Sequence, residues 1–330
     1  MHISIIGGSG FIGARLTGRL LAAGHNVKIA DINDSHTYPA LRVYADVRDA
    51  NTLKRELSGS DVVINLAAEH HDNVMPKSLY DDVNVSGAEN VCGACTELGI
   101  KKIIFISSAA VYGFAPPGTD ETGSLNYFND YGRTKWLAEE KYREWLKSDT
   151  GNSLTIIRAA VIFGEQNRGN VYNLLRQIAD GAFLMVGKGT NVKSMAYVEN
   201  AAAFIEYNLN NGPGEQLFNY ADKPDLDMNT LVAEARRIMG KSGRIFHWPY
   251  WMGCCGGFCF DLLAKITHKK FPVSLIRVKK FCSNTIFESA KIKKTGFKAP
   301  VNLIDGLEKT IKYEFIDCMR RVHTPPFRAL

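Results

Sequence analysis

Apolar and polar residues follow two periods along the first half of the chain, and these periods predict its elements. Short apolar runs typical of buried strands occur at residues 3–6, 27–30, 41–46, 61–66, 101–108 and 153–164. Segments with apolar residues at helical spacing separate them, the clearest at 14–23, 83–99 and 130–146. Strands that alternate with helices predict an α/β fold with a doubly wound parallel sheet, which binds ligands at the carboxyl ends of its strands.

The turn after the first strand carries glycines at positions 7, 10 and 13, in the sequence GGSGFIG. Gly7 permits the tight turn, Gly10 lets the backbone approach a pyrophosphate, and Gly13 allows the following helix to pack closely. The start of this helix, at Phe11 and Ile12, is then placed to receive the two phosphates. This arrangement predicts a bound dinucleotide.

Asp31 ends the second strand, about twenty residues after the glycine turn, where a carboxylate holds the ribose hydroxyls of the adenosine. Asp34 follows closely, and because two carboxylates would repel the 2′-phosphate of NADP, the expected cofactor is NAD. Other expected cofactor contacts lie at the ends of the next two strands and at the start of a helix: Asp46 and Val47 beside the adenine, then Leu66, Ala67, Ala68 and Asn84.

Composition indicates a folded globular protein. Of the 330 residues, 45% are hydrophobic and 22% are charged, and no repeat or low-complexity tract is visible. The chain starts with a core strand rather than a signal peptide, so a cytoplasmic location is expected. The seven cysteines are scattered, which indicates reduced thiols. Cys92 and Cys95, and also Cys254, Cys255 and Cys259, are expected to be small buried residues rather than metal ligands.

Positive charge is concentrated towards the C-terminus. Residues 265–330 contain fifteen Lys and Arg against five Asp and Glu, although the formal charge of the whole chain is only +6. Just before them, residues 245–264 carry a single charge, at Asp261, and are rich in Trp and Phe. An apolar aromatic stretch beside lysines is typical of a membrane-interface segment, here spanning 245–280, and a core helix is the alternative. Pro249 and the glycines of this stretch argue against a transmembrane span.

Two polar features lie at the predicted ligand-binding edge. Ser107 and Ser108 end the fifth strand, and Tyr131 and Lys135 lie four residues apart on the helix that follows, hence on one face. A nearby ammonium favours the tyrosinate and lowers the pKa of the phenol, which makes Tyr131 a candidate general base at a sugar or alcohol hydroxyl. Ser108 is placed to hydrogen-bond the same oxygen.

These motifs resemble, in order and spacing, those of the extended short-chain dehydrogenase/reductase family, the sugar epimerases and dehydratases. The resemblance covers nearly the whole chain and rests on GGSGFIG, Asp31, DVRD, NLAAEH, SSAAVYG and YGRTK. It implies that Ser108, Tyr131 and Lys135 form the catalytic set and that Tyr131 and Lys135 also contact NAD. No metal is expected.

The same resemblance implies two domains. Residues 1–164, with a return segment at about 190–221, form a Rossmann-type cofactor domain, and residues 165–189 and 222–330 form a smaller mixed domain that binds the substrate.

Within the family, two positions argue against the 4,6-dehydratases, which carry Asp-Glu where this chain has Ala109 and Ala110. Longer stretches, among them SHTYP, FGEQNRGNVYNLLRQIA and KSMAYVEN, resemble bacterial 4-epimerases that interconvert GlcNAc and GalNAc on polyprenyl (undecaprenyl) diphosphate in O-antigen and lipopolysaccharide assembly. The expected protein is such an isomerase, peripheral on the cytoplasmic face of the inner membrane. A soluble 4-epimerase of UDP-GlcNAc or UDP-glucose and a nucleotide-sugar 4-ketoreductase are the alternatives.

The resemblance places the substrate contacts at Ser108, Tyr131, Asn170 and Lys193. The family asparagine that matches Asn170 opens a helix and contacts the diphosphate of the substrate. Lys193 stands where the family usually has Arg, and a point charge without the bidentate fork fits a diphosphate that carries a lipid rather than uridine. The expected partners are a lipid-linked or small-molecule sugar diphosphate, a membrane surface and a second copy of the chain, without nucleic acid.

Overall fold

The computed structural model of the protein describes residues 1–71, 74–267 and 274–317. The elements of the first half are β1 (His2–Ile6), α1 (Phe11–Ala22), β2 (Asn26–Asp31), β3 (Arg42–Tyr44), α2 (Ala50–Leu57), β4 (Val62–Asn65), α3 (Ser78–Tyr80), α4 (Gly87–Glu97), β5 (Lys102–Ser108), α5 (Asp130–Lys147) and β6 (Ser153–Ala159). The elements of the second half are β7 (Val161–Phe163), α6 (Asn170–Ala179), β8 (Met185–Val186), β9 (Val192–Tyr197), α7 (Val198–Tyr207), β10 (Gly214–Tyr220), β11 (Asp222–Asp227), α8 (Met228–Ile238), β12 (His247–Trp248), α9 (Tyr250–Thr267), α10 (Leu275–Cys282), α11 (Ala290–Thr295) and α12 (Leu303–Ile311).

Seven strands form one parallel sheet in the order β10-β6-β5-β4-β1-β2-β3, which confirms the predicted doubly wound α/β fold. Successive side chains of β5 enter different cores: Ile103 and Phe105 pack towards α4 and α5, whereas Ile104 and Ile106 pack towards α1 and α7. Because both faces are covered by helices, the strands are apolar throughout rather than alternating. All seven carboxyl ends therefore lie along one edge.

The predicted strand at 153–164 is two strands in different sheets. β6 pairs with β5 up to the pair Ser108 and Ala159, where β5 ends, so the chain has no further partner on that side. It turns at Ala160, and β7 instead joins β9 and β11 in a separate mixed sheet of three strands. The predicted return segment divides in the same way, since β9 belongs to the smaller sheet while β10 completes the larger one.

Several predicted boundaries shift by a few residues. The first helix begins at Phe11 rather than Ala14, because Gly10 already adopts the extended N-cap conformation. The third and fourth strands end one or two residues early, at Tyr44 and Asn65. The helix expected to begin near Asn84 starts at α3 and passes through a π-helical turn, Asp81–Ser86, before α4.

The second half has its own apolar core, formed mainly by α6, α8, α12 and the strands β8 and β9. The last predicted helix corresponds to α12, followed by a π-helical turn, Lys312–Ile316. Its predicted basic end, at Arg320 and Arg321, lies outside the described residues.

The apolar stretch predicted at 245–264 forms β12 and α9, and it is not a core helix. Gly257 is the one buried residue of α9, so the alternative of a buried helix is wrong, and so is the burial predicted for Cys255 and Cys259. Cys92 and Cys95, by contrast, are buried as predicted. Among the described residues, no helix is long and apolar enough to cross a bilayer, and no cluster of metal-ligating side chains occurs.

A buried ion pair fastens α5 to the sheet. Arg158 of β6 donates to both carboxylate oxygens of Glu139, at 2.9 and 2.7 Å, and the two side chains are 3% and 0% exposed. Ser107 donates to the same carboxylate at 2.5 Å, and Arg158 donates to the Tyr112 hydroxyl at 2.7 Å. Since every member has partners, this network holds the helix in one position against β5 and β6.

Breaking this pair is expected to be costly. Arg158→Met would leave the Glu139 carboxylate buried without its bidentate partner, and we expect the free energy of unfolding to fall by about 3 kcal/mol or more in urea titrations. The control is Arg237→Met, which removes an exposed pair with Glu234 and should change stability by at most about 0.5 kcal/mol. Equal losses in the two variants would show that the buried pair is no more important than a surface pair.

Candidate active site

The glycine turn is packed too closely for side chains. Gly7 has a φ of +74°, and a Cβ built on it would lie 2.7 Å from the backbone nitrogen of Ala67, in the loop after β4. A Cβ at Gly13 would lie 2.4 Å from the carbonyl oxygen of Gly8. The turn therefore presents backbone at the start of α1, where helix N–H groups point towards the sheet edge. This cradle fits a dinucleotide diphosphate, and the contacts expected from Gly10, Phe11 and Ile12 remain predictions.

Asp31 is buried at the end of β2 and fastens the glycine turn. Its carboxylate accepts hydrogen bonds from the backbone N–H groups of Ser9 and Asn33, both at 2.9 Å. Arg42, which the sequence reasoning missed, donates to the carbonyl oxygens of Ile32 and Asn33 at 3.0 and 3.2 Å. Its guanidinium is thus held by the segment after Asp31, at the corner where a ribose is expected.

Asp46 and Val47 lie beyond the end of β3. The Arg48 guanidinium bonds both oxygens of Asp46 at 2.6 to 3.0 Å, and this side-chain hydrogen bond keeps the pKa of Asp46 below its usual value. Val47 is buried and packs against Gly87 at the start of α4, where a Cβ would approach it to 2.9 Å. The carboxylate is therefore ionised and held in place, and its predicted contact with the adenine stays a prediction.

Asn84, in the turn before α4, is hydrogen-bonded both to the loop after β4 and to α5. Its carbonyl oxygen accepts from the Glu69 N–H at 2.8 Å, and its amide donates to the Glu69 carbonyl at 3.0 Å and to Thr134 at 2.9 Å. The predicted cofactor contact is therefore not needed to explain its burial, because both amide protons are bound inside the protein. Asn65 similarly accepts from the backbone N–H of Ala67 at 3.0 Å, which orders the segment containing Leu66 and Ala68.

The structure brings Ser108 and Tyr131 together. Asn129 caps α5 by accepting from the Gly132 N–H at 2.9 Å, and Gly132 packs on the turn after β5, where a Cβ would lie 2.5 Å from the Ala110 carbonyl oxygen. This close approach places the Tyr131 phenol beside the Ser108 hydroxyl, near enough for that hydroxyl to lower the pKa of the phenol. The two side chains form the polar centre of the site.

The predicted lowering of the Tyr131 pKa by Lys135 does not occur in this structure, and the catalytic and NAD-binding roles implied for Lys135 stay predictions. Burial raises the pKa of Tyr131, and the hydrogen bond from Ser108 opposes that shift only in part. The Lys135 ammonium donates to the Ile106 carbonyl at 2.7 Å and lies 4.6 Å from the centre of the Phe105 ring. Burial lowers the pKa of Lys135 to about 7, against a smaller opposing effect of Glu139. Helical spacing put both residues on one face, but burial decides their charge.

His70, which lies next to Tyr131, and its neighbour His71 were not singled out from the sequence. The His70 ring lies 6.4 Å from the Tyr131 ring, edge to face, and stacks on the His71 ring at 4.7 Å. Glu69 holds this loop, because its carboxylate accepts from both histidine N–H groups and from Nδ1 of His71 at 3.1 Å. Desolvation, with the nearby His71, lowers the pKa of His70. The sequence signal that could have identified them is EHH, residues 69–71, which follows the small residues after β4.

The contacts described for the two predicted substrate residues do not involve Ser108 or Tyr131. Asn170 opens α6 as predicted and is exposed. Lys193 points to the end of α10, where its ammonium donates to the carbonyl oxygens of Lys280 and Ser283 at 2.8 and 2.6 Å. Burial lowers the pKa of Lys193 to about 8. Its interaction with a diphosphate stays a prediction, and two of its three donors already hold the helix end.

Comparisons with known proteins agree with this geometry. The model of the NAD dependent epimerase/dehydratase family matches residues 3–221. The chain is 52% identical, over 96% of both proteins, to the N-acetyl-alpha-D-glucosaminyl-diphospho-ditrans,octacis-undecaprenol 4-epimerase of Escherichia coli O157:H7. It is 26% identical to the UDP-glucose 4-epimerase of Vibrio cholerae, over 93% of this chain and 94% of that protein.

Solved structures of sugar epimerases share the fold. The Thermotoga maritima UDP-glucose 4-epimerase with UDP-glucose has a TM-score of 0.75 at 22% identity, and the match covers 95% of this chain and 98% of that one. The Thermus thermophilus UDP-glucose 4-epimerase in complex with NAD has the same TM-score at 19% identity and the same coverage.

The charge state of Lys135 makes stability depend on pH. An unfolded lysine titrates near 10.5 and the buried Lys135 near 7, so between these values the unfolded chain binds more protons and the contribution of Lys135 to stability rises with pH. We expect Lys135→Met to be more stable than the wild type by a margin that is largest near pH 7 and shrinks towards pH 10, in urea unfolding without cofactor. Lys147→Met, at the exposed end of the same helix, is the control. If stability depended on pH equally in both variants, the lowered pKa of Lys135 would be contradicted.

Proposed function

The chain belongs to the NAD dependent epimerase/dehydratase family, and we propose that it is an isomerase that inverts C4 of an N-acetylhexosamine. The proposed reaction interconverts GlcNAc and GalNAc on polyprenyl (undecaprenyl) diphosphate, as part of the assembly of a surface polysaccharide. The observation that carries the proposal is that Ser108 and Tyr131 lie side by side at the sheet edge that also bears the glycine turn. The choice of substrate is supported by the 52% identity to a relative that is named for it.

The residues present fit NAD. The glycine turn and the start of α1 would hold its diphosphate, and Asp31 would hold the adenosine ribose. NAD, when bound, supplies the redox chemistry by taking the C4 hydrogen with its electron pair and returning it to the opposite face. The reaction therefore needs a group of the protein that removes and restores the proton of the C4 hydroxyl.

Tyr131 is that group in the proposed mechanism. Its phenolate oxygen accepts the O4 proton, while the Ser108 hydroxyl donates a hydrogen bond to O4 and fixes its position. The flat 4-keto sugar then turns over within the site, and Tyr131 gives the proton back to O4. Because burial raises the pKa of Tyr131, the phenolate is the minor form near neutral pH. The rate of epimerisation is therefore expected to increase as the pH is raised from neutral.

A lipid-linked substrate is favoured by the surroundings of the site. Lys193, which replaces the usual arginine, is occupied by the end of α10 and supplies no fork to a nucleotide diphosphate. A substrate with a polyprenyl tail is held in a membrane, so we place the reaction at the cytoplasmic face of the inner membrane, with the enzyme attached peripherally. Assembly as a homodimer remains part of the proposal.

Replacement of the base tests the mechanism. We expect Tyr131→Phe to lose epimerisation by about 10²-fold to 10⁴-fold, because no other group in the proposed mechanism takes the O4 proton, while bound NAD is retained. Bound NAD is measured by denaturing and removing the protein and recording the absorbance of the NAD released into the supernatant. Tyr207→Phe, which removes a hydroxyl on the surface of α7, should keep the wild-type rate. A substantial rate in Tyr131→Phe would show that another group is the base.

The choice of substrate is tested by supplying detergent-dispersed lipid-linked GlcNAc and, separately, UDP-GlcNAc. The expected result is faster formation of the galacto epimer from the lipid-linked sugar, detected by chromatography, with no net change in nicotinamide absorbance. Faster turnover of UDP-GlcNAc would identify a soluble nucleotide-sugar epimerase. Stoichiometric loss of NADH would identify a 4-ketoreductase.

A further inference from the structure

One side of α9 is an exposed apolar stripe, defined here as Trp251, Phe258, Leu262 and Ile266. Successive members lie seven, four and four positions apart, which is helical spacing, so they share one face of the helix. Their exposed fractions are 65, 59, 51 and 68%. A contiguous exposed face of large apolar side chains is typical of a binding surface.

Glycines explain why the apolar side chains of α9 point outwards. A Cβ at Gly253 would lie 2.4 Å from the Val186 side chain of β8, and one at Gly257 would lie 2.8 Å from the backbone nitrogen of Leu275 in α10. At Gly253 and Gly257 the helix therefore lies too close to its neighbours for a side chain. Because glycines make the contacts with the protein, the large apolar residues of the stripe have no place in the core.

The surroundings of the stripe are basic. The described residues between 245 and 287 include four Lys and Arg and one acidic residue, a formal excess of three positive charges. Lys265 lies in the last turn of α9, and Lys279 lies in the last turn of α10. The one acidic residue, Asp261, is bound at its carboxylate by the N–H of Leu275 at 3.0 Å. An apolar face with a basic rim complements anionic phospholipids.

A series of packing contacts connects the stripe to the active site. Lys193 of β9 holds two carbonyl groups at the end of α10, and α10 packs along α9. Lys280 of α10 lies 4.4 Å from the centre of the Phe128 ring, and Phe128 stacks on Phe114 at 4.9 Å. Phe128 is three residues before Tyr131. The surface that carries the stripe therefore adjoins the segment that leads into the catalytic helix.

We propose that the stripe inserts into the headgroup and outer acyl region of an anionic phospholipid membrane, with the basic residues of α9 and α10 against the lipid phosphates. This inference deepens the proposed function and rests on it in one respect, that the substrate tail lies in the same membrane. The alternative occupant is a second copy of the chain. A two-fold dimer through this face would bring two basic rims together, which charge repulsion disfavours.

Vesicle binding by the full-length protein tests the proposal. Vesicles of phosphatidylethanolamine with phosphatidylglycerol are compared with vesicles of phosphatidylcholine by flotation, and lipids brominated on their acyl chains serve as quenchers of tryptophan fluorescence. We expect binding to the anionic vesicles, weaker binding to the neutral ones, and quenching that is largely lost in Trp251→Phe.

Variants of the stripe provide the decisive comparison. Phe258→Gln/Leu262→Gln should weaken binding to anionic vesicles by about tenfold or more, because two large side chains no longer leave water. Leu21→Gln, at an exposed leucine of α1, is the matched control and should bind as the wild type does. Lys265→Gln/Lys279→Gln should remove most of the preference for anionic over neutral vesicles.

Three outcomes would overturn the proposal. They are no binding of the wild type to anionic vesicles, unchanged binding of Phe258→Gln/Leu262→Gln, or a wild-type dimer that this double variant converts to a monomer in sedimentation analysis. The last result would assign the stripe to a second copy of the chain.

Activity on a short-prenyl, water-soluble GlcNAc diphosphate without vesicles separates the two proposals. Wild type and stripe variants should turn it over equally if the stripe serves only the membrane. Vesicle binding without any epimerisation would refute the proposed function alone. Epimerisation without vesicle binding would refute the membrane surface alone.

Discussion

The contact between Tyr131 and Ser108 depends on how closely α5 approaches the turn after β5. That approach is possible only because position 132 is a glycine, whose missing Cβ would otherwise meet the Ala110 carbonyl. Asn129 fixes where the helix begins, so Tyr131 stands in the first turn at the sheet edge. Further along the helix, Glu139 is tied to Arg158 and Ser107, which prevents α5 from sliding along the sheet. The chemistry of the site thus rests on packing at one end of the helix and on a buried ion pair along it.

Burial gives the site its electrostatic character. The same low-dielectric surroundings that strengthen the Glu139 and Arg158 pair raise the pKa of Tyr131 and lower that of Lys135 to about 7. Both shifts favour the neutral form, so neither Tyr131 nor Lys135 is fully ionised near neutral pH in the absence of ligands. Charges that arrive with the substrate and the cofactor would therefore have a large effect on proton transfer at Tyr131.

Close packing through glycine recurs in α9 with a different outcome. In the glycine turn it brings backbone N–H groups to the ligand-binding edge, and in α5 it brings a side chain to its partner. In α9 the glycines occupy the inner face, and the apolar side chains of the other face remain in solvent. The contact of Lys280 with Phe128 connects that segment to the residues that lead into α5. Close packing through glycine thus supports both the geometry of the site and the proposed attachment of the enzyme to a membrane.

The sequence by itself determined what depends on neighbouring residues. The alternation of apolar strands and helices predicted the parallel sheet. The glycines at 7, 10 and 13 with Asp31 predicted the cofactor turn, and the four-residue step from Tyr131 to Lys135 predicted that both side chains lie on one face of a helix. Tertiary structure decided what depends on contacts between distant segments. It put His70 beside Tyr131, gave Lys135 to the Ile106 carbonyl instead of the phenol, and turned the apolar residues of α9 outwards. Burial and long-range pairing set these features, and neither can be derived from spacing along one segment of chain.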